Sequence, residues 1–316
     1  MSCCDALRSH LELLWLQLTA PTIHMTSGFK VQQGRQIAEG GFSFVYEARS
    51  GRSRFALKKI LCQTREQLRE ARHEIAVHNE CSHPSLLRLV DHAFVQRGAR
   101  TEAFLLYPLY TLGTLRNHID ARLQSGAALD ETALLRRFEA ICSGVHHMHA
   151  HDPSWAHRDI KPENVLLAED GTPVLMDFGS VTEAVTSVNS RREALMLQEQ
   201  AAEHSSMPYR APELFDVASD ARVDARTDVW SLGCLLFAMA FGYSPFECSF
   251  TRDGQVRVTE CSYLRVISAP AFPSPCAASV ELCALIRWML NTDAALRPTV
   301  EQVLERVAAT RAAAPR

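Results

Sequence analysis

Apolar residues recur along this chain with two different periods, and the change of period divides it. From Phe29 to Tyr110 they come as short alternating or continuous runs. Val31, Ile37, Phe42, Phe44 and Tyr46 surround Gly40-Gly41, and Phe55-Ala56-Leu57-Lys58-Lys59-Ile60 and Phe104-Leu105-Leu106-Tyr107-Pro108-Leu109-Tyr110 follow. Successive side chains of a strand point to opposite faces, so this pattern predicts two strands about a glycine turn, a further strand, and an apolar strand entering a turn before Gly113. Between the last two, the charged segment from Arg65 to Cys81 reads as a helix. Downstream, Leu134, Phe138, Ile141, Val145 and Met148 recur at alternating steps of four and three, one stripe of an amphipathic helix with Asp130 as its N-cap. Val229 to Phe246 carries no charge and is long enough to raise the question of a membrane span. Ser231, Gly233, Gly242, Ser244 and Pro245 interrupt it, and Asp228 stands at its start, so a buried core helix is expected instead. A loop-rich stretch from Tyr243 to Pro275 and a helical tail from Val280 to Ala309 complete the pattern.

Composition narrows the class. With 316 residues, 47% hydrophobic and 22% charged, the chain can build one large domain or two lobes. A formal net charge of -3 argues against a nucleic-acid partner, which usually demands a basic patch. The ten cysteines lack paired Cys-x-x-Cys spacing, so free thiols are expected, not a disulfide frame or a zinc site. His146, His147 and His149 crowd one helix end without a second ligand cluster, which makes them helix-end residues before metal ligands.

Chemistry concentrates in His157-Arg158-Asp159-Ile160-Lys161-Pro162-Glu163-Asn164. Asp159 can accept a proton from an attacking hydroxyl, Lys161 can offset charge on a transferring phosphoryl group, and the Asn164 amide oxygen can ligate Mg²⁺. Val174-Leu175-Met176-Asp177-Phe178-Gly179 reads as a short buried strand delivering Asp177 into a glycine turn, a second oxygen ligand for a hard cation. Lys58 shares the face of Ala56 on its strand, and an inward lysine needs an anion. Glu74, amid Ile75 and Val77, is its candidate partner. In Ile37-Ala38-Glu39-Gly40-Gly41-Phe42-Ser43-Phe44-Val45-Tyr46, the glycines let backbone N–H groups approach phosphate closely. Arg191 to Glu203 reads as a helix placed between the Asp177 turn and Ala211-Pro212-Glu213. Arg297 is a candidate partner for Glu213, and Asp228 for backbone N–H groups of the 157–164 loop.

The order of these motifs resembles the eukaryotic protein kinases over about residues 29 to 306, and more narrowly the Numb-associated kinase family. The resemblance implies an α+β, two-lobed fold: a β-rich N-lobe (29–107) with one main helix, a hinge (108–111) and a larger, mostly helical C-lobe (112–306). Residues 1–28 would be an N-terminal extension and 307–316 a short tail. ATP in the cleft is implied, with Mg²⁺ held by Asn164 and Asp177, Lys58 on the α- and β-phosphates, Glu74 positioning Lys58, and Asp159 as base. Ala38, Gly40, Gly41, Val45 and Ala56 would line the nucleotide, the hinge backbone at Pro108 and Tyr110 would receive adenine, and Tyr107 would be the gatekeeper. The chain departs from the three-glycine loop, carrying Ala38 and Ser43 at its first and third places.

Lys161, and Ser206 before Met207-Pro208-Tyr209, match the serine/threonine pattern, so proteins with serine or threonine acceptors are the expected substrates. A catalytically silent scaffold and a kinase of small molecules or lipids are the alternatives. Arg158 can pair with a phosphate in the activation segment, where Thr182, Thr186, Ser187, Ser190 and Ser205 are available acceptors. An already ordered helix at 191–203 would instead imply activity without phosphorylation. For residues 1–28 two readings stay open: an unmodified tail, or S-acylation of Cys3-Cys4 beside the apolar Leu11 to Leu18 patch. Ser2 stands where myristoylation needs glycine. A cytoplasmic enzyme is expected, and the family resemblance implies a place at Golgi or other endomembranes.

Overall fold

The computed structural model describes residues 21–313, which form two compact units. One runs to Ser82 and continues from Leu87 to Tyr110; the other holds His83–Leu86 and everything from Thr111 onward.

The first unit is a six-stranded antiparallel sheet with one helix. Strands β1 (Thr22–His24), β2 (Lys30–Glu39), β3 (Ser43–Ser50), β4 (Ser53–Cys62), β5 (Asp91–Arg97) and β6 (Arg100–Pro108) are ordered β1-β2-β3-β4-β6-β5. Helix α1 (Arg65–Glu80) starts on a capping box in which Thr64 and Gln67 satisfy each other's backbone N–H groups. Ile23, Met25, Val31, Ala48, Leu57, Ala93, Phe104 and Leu106 form the core of the sheet. Ile23 and Met25 belong to the segment read from sequence as an N-terminal extension. The structure makes Thr22–His24 an integral strand on β2, and the Ser27 hydroxyl and N–H both donate to the buried Asp91. Ile23 and Met25 supply the apolar face that holds this strand down.

The second unit is mostly helical. Helices α2 (Leu115–Ser125) and α3 (Glu131–His149) come first, and Asp130 accepts the Ala133 N–H at 2.9 Å as the N-cap of α3. The α3 stripe Leu134, Phe138, Ile141, Val145 and Met148 is buried throughout. Helix α4 (Arg191–His204) is the helix expected between the Asp177 turn and Ala211-Pro212-Glu213, capped by Ser190. Helix α5 (Arg226–Phe241) takes up most of the uncharged segment: every residue from Thr227 to Phe241 is buried, with Trp230 stacked on Phe246 at 5.2 Å between ring centroids. Among the described residues no helix is long and apolar enough to cross a membrane. The stretch expected to be loop-rich contains a hairpin, Cys248–Phe250 with Val256–Val258, and a short helix, Tyr263–Val266. The expected helical tail is two helices, Val280–Met289 and Val300–Ala313. They are separated because Asn291 to Pro298 folds around the Arg297 guanidinium, whose two terminal nitrogens donate to Glu213 at 2.6 and 2.7 Å. A bidentate pair with its guanidinium buried fixes both chain segments.

Candidate active site

In the first unit the strand register aligns the predicted nucleotide residues. Ala38 pairs with Val45 across β2 and β3, Val45 with Lys58 across β3 and β4, and Ala56 lies opposite Tyr107 on β6. In the glycine turn the Gly40 N–H donates to the Ser43 carbonyl at 2.8 Å. A Cβ at Gly40 would come within 3.0 Å of Ser43 Oγ, whereas Gly41 faces open space. Ala38 needs no positive φ and its methyl group is exposed in extended β2, so alanine in place of the family's first glycine strains nothing locally. Lys58 Nζ donates to Glu74 Oε1 at 2.8 Å, and the glutamate is buried on α1. Pro108 has no N–H and offers only a carbonyl acceptor, while Tyr110 retains a backbone donor; that acceptor-and-donor pair suits a purine edge.

In the second unit both oxygens of Asp159 are engaged. Oδ1 accepts the Ser206 N–H at 2.9 Å; Oδ2 accepts Lys161 Nζ at 2.8 Å and Asn164 Nδ2 at 2.9 Å. Lys161 also donates to Ser206 Oγ at 2.6 Å, so the lysine bridges the catalytic-loop aspartate to the segment before Ala211-Pro212-Glu213. Both hydrogens of the Asn164 amide are spent on Asp159, one on its carboxylate and one on its backbone carbonyl at 2.9 Å, which leaves Oδ1 as the outward acceptor. Two short strands, β7 (Val165–Leu167) and β8 (Pro173–Leu175), then bring Asp177 to the same end of a hairpin: Val165 pairs with Leu175, and the Met176 N–H donates to the Asn164 carbonyl at 2.8 Å. Asp177 takes a left-handed conformation with φ 68°. His157 fastens this arrangement. Its Nδ1 accepts the Asp159 N–H at 3.3 Å, so Nε2 carries the hydrogen and donates to the Met176 carbonyl at 3.1 Å.

Asn164 Oδ1 and the Asp177 carboxylate are hard oxygen donors. Two protein ligands that leave the rest of the shell to phosphate and water fit Mg²⁺, which keeps near-octahedral oxygen coordination and seldom uses an all-protein cage. Among the described residues no group of three or more His, Cys, Asp or Glu is placed to hold a metal. His149, from the histidine cluster, instead contacts Asp228, with Nε2 2.9 Å from Oδ2.

Asp228 lies beneath the loop and accepts the His157 N–H at 2.7 Å and the Arg158 N–H at 2.9 Å. Burial pushes its carboxyl upward, but the hydrogen bond from His149 and the electrostatic attraction of His149, His157 and Arg158 outweigh it, leaving the group below the usual carboxylate range. The Arg158 guanidinium is buried and each of its three nitrogens donates a hydrogen bond: Nε to Thr182 Oγ1, Nη1 to Thr227 Oγ1 and Nη2 to the Ala184 carbonyl. Sequence reading did not find these neutral partners, nor the Ser206 N–H on Asp159. Ser206 stood out only as part of a pattern, and a backbone donor leaves no signal in residue identity. Cys3 and Cys4 lie outside the described residues, and all cysteines among the described residues are free thiols.

A family model described as the protein kinase domain matches residues 31–307. The chain is 39% identical over 283 residues to serine/threonine-protein kinase 16 of Homo sapiens, covering 89% of this chain and 90% of that protein. It is 33% identical over 349 residues to a probable serine/threonine-protein kinase of Dictyostelium discoideum, covering 89% of this chain and 94% of that protein. With serine/threonine-protein kinase ENV7 of Saccharomyces cerevisiae it shares 27% identity over 330 residues, covering 85% of this chain and 89% of the yeast protein. The chain belongs to the protein kinase family.

Proposed function

We propose that this chain is a serine/threonine protein kinase that transfers the γ-phosphoryl group of Mg²⁺-bound ATP to hydroxyls of protein substrates. The observation that carries the reading is the Asp159 carboxylate, held at both oxygens by Ser206, Lys161 and Asn164. A carboxylate fixed this way can orient an acceptor hydroxyl and take its proton as the new O–P bond forms and the bond to the β-phosphate oxygen breaks. Lys161 neutralises charge on the transferring group, and Lys58, kept by Glu74, binds the α- and β-phosphates. Mg²⁺, held by Asn164 and Asp177, would draw charge from the phosphate oxygens. The lysine at 161, bonded to Ser206, supports serine and threonine acceptors, as does the similarity to serine/threonine-protein kinases.

Incubation with radiolabelled ATP and casein should place label on serine and threonine, and chelation of divalent cations should stop the transfer. Lys58→Met serves as the silent control. Label confined to tyrosine, or transfer undiminished in the Lys58→Met protein, would overturn the assignment.

Regulation follows from Arg158. Each of its nitrogens already donates to a neutral acceptor, Thr182, Thr227 or Ala184, and α4 is held by the Gln198 side chain on the Phe215 carbonyl at 2.6 Å and by Ser180 on the His204 carbonyl at 2.7 Å. Phosphatase-treated enzyme, verified free of phosphate by mass spectrometry, should therefore keep its turnover within about twofold, since no salt bridge to a phosphate has to form first. A dead dephosphorylated enzyme would show that a phosphosite is required.

A further inference from the structure

Two thiols that phosphoryl transfer does not use lie together in the second unit. Cys276 and Cys283 place their Sγ atoms 3.8 Å apart, close enough for one S–H to donate to the other sulfur. Cys283 is buried on the helix Val280–Met289, whereas Cys276, on the segment before it, is the exposed cysteine among the described residues. The chain is pinned on both sides of Cys276. Before it, the Arg287 guanidinium stacks on the Phe272 ring at 4.3 Å, and that ring lies 5.4 Å from Phe237 and 5.8 Å from Phe241 of α5. After it, Ser279 caps the helix by accepting the Leu282 N–H, while its own N–H and hydroxyl donate to the Glu131 carboxylate at the start of α3. Arg287 lies one turn beyond Cys283 on the same helix, so the anchors that fix the segment also set its distance from Cys283. The folded chain holds the two sulfurs as neighbours.

We propose that Cys276 and Cys283 are an oxidative modification site, where hydrogen peroxide converts the pair to an intramolecular disulfide and small thiols restore it. The Cys276 thiolate, which solvent reaches, attacks a peroxide oxygen; the O–O bond breaks, hydroxide leaves, and Cys276 becomes a sulfenic acid. Cys283 then attacks that sulfur, the S–S bond forming as the S–O bond breaks and a second hydroxide leaves. Each hydroxide takes one thiol proton, so the two thiols give up two electrons and one peroxide becomes two waters. Burial and the neighbouring Cys276 push the Cys283 thiol up to about 12, which makes it the resolving partner and not the first nucleophile. From 3.8 Å the sulfurs must close by about 1.8 Å to reach a disulfide bond length. Rotation of the exposed Cys276 side chain covers that distance. The bond ties the irregular segment to the helix and constrains the unfolded chain as well.

Trypsin isolates the pair, because no lysine or arginine lies between Arg265 and Arg287 and the peptide 266–287 contains no third cysteine. The reduced full-length chain is treated with stoichiometric hydrogen peroxide, its remaining thiols are alkylated with N-ethylmaleimide, and that peptide is weighed. In most molecules it should have lost two hydrogens and taken no alkyl group, and dithiothreitol should return two alkylatable thiols. Equilibration in glutathione buffer separates a built site from two cysteines that merely meet. The equilibrium constant for the disulfide should be about tenfold higher in the folded chain than in urea, since the fold already holds the sulfurs together. Linkage then requires oxidation to raise Tm by about 3 °C for a chain of this size, a shift that Cys276→Ser should abolish. Several results would overturn the proposal: both cysteines alkylated after peroxide, Cys276 recovered as sulfinic or sulfonic acid beside an intact Cys283 thiol, or Cys276 joined to any other cysteine. An equilibrium no more favourable in the folded chain than in urea would do the same.

Discussion

Asp159→Asn is expected to lower kcat by about 10²- to 10⁴-fold while leaving ATP binding within about threefold of the parent. The argument runs through the donors around the carboxylate. Ser206 N–H, Lys161 Nζ and Asn164 Nδ2 all point hydrogens at Asp159, so both oxygens are acceptors in the native arrangement. An asparagine offers one oxygen and one NH₂, and whichever way it turns, the NH₂ faces a donor. It also cannot take the proton from a substrate hydroxyl. The substitution leaves the Lys58–Glu74 pair proposed to bind the nucleotide chemically unchanged, so the loss should appear in turnover and not in a fluorescent-nucleotide titration. Turnover equal to the parent's would remove Asp159 from the role of base.

The proposed catalytic residues were legible because phosphoryl transfer demands particular residue types at short spacings. Asp159, Lys161 and Asn164 lie within six positions of one another, and the structure ties the three together through Asp159 Oδ2. Lys58 and Glu74 were legible for a different reason. A charged residue on an apolar strand and another amid apolar helix positions each need a buried partner, and 16 residues separate the two. The buried hydrogen bond between the Tyr107 hydroxyl and His78 was not legible. It spans 29 residues and depends on the register that sets Tyr107 opposite Ala56 on β4, which no local pattern specifies. The neutral acceptors of Arg158 were equally hidden, since a backbone carbonyl such as that of Ala184 carries no signature in the sequence.

For the fold, long periodic segments read correctly and short ones did not. The α3 stripe repeats over four turns and has a side-chain cap, so periodicity and capping agree. Helix α4 could be found because Arg191 to Glu203 is a run of helix-forming residues, and the structure adds Ser190 as its cap. Strand β1 is three residues long with one buried side chain, Ile23, too short to establish a period; it exists because β2 offers it an edge and the sheet core accepts Ile23 and Met25. The break between Val280–Met289 and Val300–Ala313 was missed although the Arg297–Glu213 pair was expected, because the turn that wraps Arg297 is set by the Asn291 carbonyl accepting from Arg297 Nε, a contact that no period marks.

Asp228 is the residue whose loss should cost most in stability. Asp228→Asn keeps the shape but turns one acceptor into a donor beneath the His157 and Arg158 N–H groups and His149 Nε2. Leaving buried donors unpaired costs about 1–3 kcal/mol each, and breaking a buried charged network about 3–5 kcal/mol in all. For a chain of this size that is a fall in Tm of roughly 10 °C. Turnover should fall with it, because Arg158 sits at φ 69°, a left-handed conformation that its contacts with Asp228 sustain and that aims the loop toward Asp159. The sign of the pH dependence follows from the lowered carboxyl. Its stabilisation is complete above the unfolded value of about 3.9 and is lost as pH falls through the lower folded value. Asparagine does not titrate in that range, so the gap in Tm between parent and variant should be constant near neutrality and shrink below about pH 4. Calorimetric scans of both proteins across that interval test it. A gap that widens with acidity would mean that the Asp228 carboxyl is not held in its charged form by the donors around it.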